Sequence, residues 1–180
     1  MSGEMASGKA PILVLGLGNE MLKDDAVGIR VAQKLQQNFP REVEVRWTSE
    51  FGLALLDELM GCERVLLIDS YIPESPRAPD FREHTLDSIG PANAPCLHFV
   101  GLGEIRDMMR ALGLTFPAQV QVLAIPVYDS TTFSNEMSPQ VAARVTPAAE
   151  HARRIVGTWL AESNARRRKE RSSTGTNTDA

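Results

Sequence analysis

The chain has 180 residues, of which 43% are hydrophobic and 23% charged, with a formal net charge of -4. That length supports one substantial core, and a faintly acidic surface with Lys and Arg scattered among Asp and Glu offers no broad basic face, so nucleic acid is excluded as an expected partner. No apolar run is long enough to span a membrane or to serve as a signal peptide, and two cysteines far apart, Cys62 and Cys96, fit a reducing compartment, so a cytoplasmic protein is expected.

Residues 1–10 have no apolar core and are expected to form a flexible N-terminus. The first element is PILVLGL, a nearly continuous apolar run of the kind that forms a strand covered on both faces. It leads through Gly16, Gly18 and Asn19 into DDAVGIRVAQKLQQNF, where Val27, Val31 and Leu35 recur at helical spacing and Asp24 or Asp25 suits the helix start. VEVRWT alternates like a half-exposed strand, and FGLALLDELMG reads as a helix stopped by Gly61. RVLLID is a second buried strand, ending on Asp69, after which Pro73, Pro76 and Pro79 impose an irregular connection in which His84 also falls.

CLHFVG then leads into GEIRDMMRALG, whose Ile105, Met108, Met109 and Leu112 share one stripe, and QVQVLAIPV supplies a further strand. The two methionines read as core filling. The last helix starts near Ser138, with Pro147 expected to kink it or to open a fresh first turn. From about residue 163 the composition turns polar and basic, Arg166 to Arg171 above all, and a disordered tail over 163–180 is expected behind a single domain of residues 11–162. Alternating strands and helices predict an α/β fold in three layers, an open, mainly parallel twisted sheet with helices on both faces.

In such a sheet ligands bind beyond the carboxyl ends of the strands, which selects Asp24, Asp25 and Asp69 and brings His98 within reach. Two carboxylates and an imidazole would make an open site for nickel or zinc. Each residue also has a plain structural reading: Asp24 and Asp25 as helix caps, Asp69 as a polar end to a strand, His98 as a hydrogen-bonded histidine. Gly16 and Gly18 resemble part of a dinucleotide loop, but its third glycine is missing, as is any phosphate-loop lysine. His84 and His151 lack metal-ligand spacing, and no HExxH, GxSxG or cysteine-nucleophile pattern occurs.

The segment ILVLGLGNEMLKDDAVGIRVAQKL resembles the start of the hydrogenase maturation endopeptidases: an apolar strand, GxGN, a spacer, two acids and a nearby glycine, here Gly16, Gly18, Asn19, Asp24, Asp25 and Gly28. The resemblance continues at VLLIDS, which carries Asp69, and at HFVGLGEI, which carries His98, and extends more weakly to VLAIPV and MSPQVAARV. It implies a protease that removes the C-terminal extension from the nickel-loaded precursor of a nickel-iron hydrogenase large subunit. It also implies that Asp25, Asp69 and His98 contact the metal, with Asp24 the neighbouring cap. Nickel would arrive with the substrate, and zinc or another divalent metal could stand in for it. Alternatives of another class are a non-catalytic nickel-sensing chaperone for the same precursor and a flavodoxin-like nucleotide-binding domain. The turn TSEFGLALL keeps only Gly52 of the family's Gly-Thr-x-Gly, and Leu97 stands where a serine often precedes the histidine.

Overall fold

A computed structural model describes residues 10–37, 39–75, 77–88 and 102–174. The apolar run forms β1 (Ile12–Leu17), and the helical repeat after it forms α1 (Val27–Leu35). They are followed by β2 (Val43–Thr48), the short α2 (Leu55–Leu59), β3 (Arg64–Tyr71), β4 (Arg82–Thr85), α3 (Leu102–Ala111), β5 (Gln119–Pro126) and α4 (Pro139–Thr174). The strands make one sheet in the order β2-β1-β3-β5-β4, parallel except for β4, which runs antiparallel to β5 at the edge.

Side chains alternate between the two faces of the sheet, so each buried strand serves two cores. Ile12, Val14, Leu66, Ile68, Leu123 and Ile125 pack with α1 and α4. Leu13, Leu15, Val65, Leu67 and Val122 pack with α2 and α3 on the opposite face. This is the three-layer α/β arrangement expected from the sequence. Because β1 is followed by β2 on one side while β3 leads to β5 on the other, winding reverses between β1 and β3. The carboxyl ends of these two strands therefore diverge into a crevice, the place where sheets of this kind bind ligands.

Helix α1 lies unusually close over that point. A Cβ on Gly28 would overlap the carbonyl oxygens of both Leu17 and Ile68, and one on Gly16 would strike the carbonyl of Gly28. These two glycines thus let the helix backbone rest directly on β1 and β3 and aim its N-terminus at the crevice. Gly157, by contrast, meets nothing within 4 Å on the exposed side of α4. Gly157→Ala is expected to stabilise the protein by about 0.5–1 kcal/mol, since alanine loses less backbone entropy in a helix; a thermal melt checks this.

Several elements differ from their expected form. The segment REHT, read as loop, is the edge strand β4, so His84 lies on a strand rather than in the proline-rich connection. Strand β3 does not stop at Asp69 but continues to Tyr71, because its ladder with β5 holds as far as Tyr71 opposite Pro126. Leu112 is 63% exposed, beyond the last turn of α3, whose buried stripe is Leu102, Ile105 and Met109. Helix α4 passes through Pro147 without a break: Pro147 and Ala143, whose carbonyl loses its partner, both lie on the exposed side where water can replace the bond.

The same helix runs on to Thr174, well past residue 163, where an irregular tail was expected. Arg, Lys and Glu are good helix formers and no Gly or Pro interrupts residues 158–174, so a helix already nucleated by its packed half can extend through a polar sequence. The Arg64–Glu162 pair at 2.7 Å and the Arg166–Glu63 pair at 3.1 Å tie the start of this extension to the end of the sheet. Among the described residues no helix is long and apolar enough to cross a membrane.

Candidate functional site

The turn leaving β1 is built to present one carboxylate. Gly18 has a φ of 144°, and a Cβ there would run into the carbonyl of Asp25, so only glycine lets the turn fold back on itself. The backbone N–H of Asn19 then donates to Asp25 Oδ2 at 2.9 Å, and the Asn19 side chain accepts from the N–H of Met21 at 3.0 Å. Neither acid caps the helix that follows: no side-chain cap bond exists at the 3-10 turn Lys23–Ala26 or at the start of α1.

Asp24 and Asp25 instead divide the work between scaffold and site. Asp24 is 1% exposed and reaches across the chain to Ser138, accepting from its N–H at 2.7 Å and from its hydroxyl at 2.9 Å. It therefore anchors the start of α4, whose first carbonyl acceptor is Ser138. The expected cap of the following helix is absent, and Asp24 holds instead the residue that opens α4, 114 residues away in sequence. Asp25 stays half-buried at the crevice and accepts the Ser70 hydroxyl at 2.8 Å on its Oδ1.

Ser70 is the link that joins the two expected acids. Its hydroxyl holds Asp25, while its backbone N–H donates to Asp69 Oδ1 at 2.7 Å. The pairing of β1 with β3 ends at Gly16 opposite Ile68, so Asp69 and Ser70 are the first residues of β3 to pass the end of that ladder. Sequence reading missed Ser70, although the serine directly after the strand aspartate in VLLIDS was the available signal. Asp69 was expected on an open loop and is instead fully buried within the continuing strand, on the face that packs α2 and α3. His98, the third expected ligand, lies outside the described residues.

The loop after β5 locks this turn in place. Ser134 N–H donates to the carbonyl of Met21 at 3.0 Å, Leu22 bridges Phe133, and Asp24 N–H donates to the carbonyl of Asp129 at 3.1 Å. Lys23 meets Asp129 Oδ2 at 2.8 Å. Hydrogen bonds from Lys23 and Thr132 pull the Asp129 carboxyl down to about 2, and the same partner raises Lys23. With its folded value below the ordinary 3.8, Asp129 contributes stability that is present above pH ~4 and lost as pH falls through about 2. An NMR titration should find its carboxyl midpoint near 2 in wild type, moving up toward the ordinary value in Lys23→Met.

Chemically, Asp25 and Asp69 bring two carboxylates, hard oxygen donors, to the end of the β1–β3 ladder. Asn19 and Ser70 fix Asp25 from two sides, which orients its remaining lone pairs. Among the described residues no three His, Cys, Asp or Glu side chains gather as a complete metal cage. His151 is engaged elsewhere, with Glu83 at 2.6 Å and Arg154 at 2.9 Å. His84 is pushed below its ordinary value by burial and by Arg82.

No protein-family model matches the chain. It is 28% identical to the hydrogenase 2 maturation protease of Escherichia coli strain K12 over 144 residues, 77% of this chain and 86% of that protein. It is 24% identical over 152 residues to the hydrogenase expression/formation protein HupD of Bradyrhizobium diazoefficiens, covering 82% of this chain and 79% of that one. Among solved structures, the hydrogenase-maturating endopeptidase HybD from E. coli superposes with a TM-score of 0.65 at 28% identity, over 84% of this chain and 93% of that one. The fold is shared as well with a [NiFe] hydrogenase maturation protease HybD from Thermococcus kodakarensis, with a TM-score of 0.64 at 22% identity over 80% and 97% of the two chains. The chain is thus similar in sequence and in fold to two E. coli proteins described as a hydrogenase 2 maturation protease and a hydrogenase-maturating endopeptidase.

Proposed function

We propose that the protein is an endopeptidase that removes the C-terminal extension from the nickel-loaded precursor of a nickel-iron hydrogenase large subunit. The observation that carries this reading is the pair Asp25 and Asp69, joined through Ser70 in the crevice where the winding of the sheet reverses. The chain is similar to a hydrogenase 2 maturation protease and to a hydrogenase-maturating endopeptidase, and the turn that holds Asp25 carries the GxGN and paired acids of the resemblance.

In this reading nickel enters with the substrate, and Asp25, Asp69 and His98 hold it, with zinc or another divalent ion able to stand in. Bound there, the cation would polarise the scissile carbonyl and make an adjacent water more acidic. The chain's own residues do the positioning. Asn19 N–H and the Ser70 hydroxyl keep Asp25 from rotating away, and Ser70 N–H does the same for Asp69. Asp69 sits out of contact with bulk water, which strengthens its attraction for a cation. A rigid pair of this kind fixes the precursor chain by its metal and so brings one peptide bond to the crevice.

The test is genetic. Cells lacking the gene should accumulate the longer, unprocessed large subunit, wild type should restore the shorter form, and Asp25→Asn should not. Normal processing in cells without the gene would refute the proposal.

A further inference from the structure

Beside the two acids stands a cationic cluster that the proposed reaction does not use. Arg82 on β4 and Asp69 on β3 both register against Ala124 of β5, so the three side chains leave the same face of the sheet with only a methyl group between the charges. Two strand spacings put their Cα atoms about 10 Å apart. Tyr71, two residues beyond Asp69 on that face, is 4% exposed, and its buried hydroxyl finds no acceptor for its proton, since Arg82 beside it can only donate. The Arg82 guanidinium lies over the Tyr71 ring, 5.2 Å from its centre, and has no carboxylate partner among the described residues.

Arg144 closes the cluster from α4. The N–H of Val127 donates to the Tyr71 carbonyl at 2.9 Å, which sets Tyr128 beside Tyr71, and Arg144 lies 6.0 Å from the centre of the Tyr128 ring. Its Nη1 donates to the Gln140 carbonyl at 3.3 Å, while its buried Nε makes no hydrogen bond and only a long ion pair, 3.7 Å, with Asp80 Oδ1. Burial raises the Tyr71 hydroxyl, with Arg82 and Arg144 both opposing that rise, as expected if the two guanidiniums bear on the same phenol. Glu83 points to the other face, where it holds His151.

Two buried donors without acceptors and a guanidinium without a carboxylate therefore meet next to the cleavage site. A buried donor left unmade costs about 1–3 kcal/mol, and one planar anion offering two oxygens would satisfy this set, since guanidinium and carboxylate match as forks. We propose that Tyr71, Arg82 and Arg144 form a carboxylate-binding subsite that grips the segment of the precursor to be removed. The carboxylate is either the free end of the extension or an Asp or Glu side chain within it. The inference rests on the proteolytic reading for its substrate, and its test separates the two.

The probe is a synthetic peptide of the extension of the same organism's large-subunit precursor, with binding measured by fluorescence anisotropy on the full chain. Arg82→Gln and Arg144→Gln are each expected to weaken binding about tenfold, about 1.4 kcal/mol, and Tyr71→Phe to weaken it less, with thermal melts confirming that each variant folds. Amidating the peptide terminus should reproduce the loss if the free end is bound, and Glu→Gln or Asp→Asn changes within the peptide should reproduce it if a side chain is bound. In cleavage assays KM for the precursor should rise about tenfold in Arg82→Gln, with a smaller effect on kcat, and Arg82→Lys should recover part of the loss. Equal binding of the peptide by wild type and both arginine variants overturns the subsite, even where cleavage proceeds. Arginine-dependent peptide binding by a protein that never cuts the precursor leaves the subsite standing and removes the protease.

Discussion

Asp25→Asn and Asp69→Asn are each expected to lower processing by more than the roughly 10–100-fold that follows loss of a supporting group around a metal. Folding should survive both changes. Asn at position 25 can offer its oxygen to the Asn19 N–H and its amide to Ser70, whose hydroxyl accepts as readily as it donates. Asn at position 69 still accepts from Ser70 N–H. The change in stability is then about 1 kcal/mol, the scale of one altered hydrogen bond, while the negative charge proposed to attract the cation is gone. Ser70→Ala keeps both charges but frees Asp25 on one side, and an intermediate loss of about 10–100-fold is expected. Processing assays paired with circular dichroism check all three, and full activity in a folded Asp25→Asn or Asp69→Asn protein would remove the site.

Gly28→Ala should be among the most damaging single methyls that can be added to this chain. The atoms it would meet are backbone carbonyls of Leu17 and Ile68, in the two central strands, and neither can rotate aside as a side chain would. Relief requires α1 to lift from the sheet, which opens the core formed by Val27, Val31 and Leu35 and drags the Asp25 turn with it. A cost of about 3 kcal/mol or more is expected, at the upper end of overpacking effects, which corresponds to a melting temperature lower by about 6–12 °C for a protein of this size. An unchanged melting temperature would mean that the close helix–strand approach is not what fixes this turn. Gly52→Ala is the control: its φ is 58° but nothing lies within 4 Å, so it carries only backbone strain, about 1–2 kcal/mol.

The central strands and α1 were legible because burial on both faces leaves a continuous apolar run and burial on one face leaves a helical repeat. The edge strand β4 left no such mark: Arg82, Glu83, His84 and Thr85 are polar, and they pair only because β5 offers them a free edge. The extent of α4 was misread for a related reason, since polarity argues against packing but not against a helix that continues from a packed segment. At the candidate site, Asp25 and Asp69 were singled out because a sheet of this class binds ligands beyond the carboxyl ends of its strands. Which of the two adjacent acids served the scaffold depended on Ser138, 114 residues from Asp24, and no local pattern encodes that contact. Tyr71 and Arg82 escaped for the same reason, since the roles proposed for them arise from strand register and from a strand whose sequence does not announce itself, whereas Ser70 stood in plain view beside Asp69 in VLLIDS.

The most direct test of the proposed reaction is the intact mass of the large subunit after the purified protein is incubated with nickel-loaded and with nickel-free precursor. Loss of a C-terminal peptide from the nickel-loaded sample alone is the expected result. Unchanged mass in both samples, or equal trimming of both, would contradict a protease that locates its peptide bond through the metal held by Asp25 and Asp69.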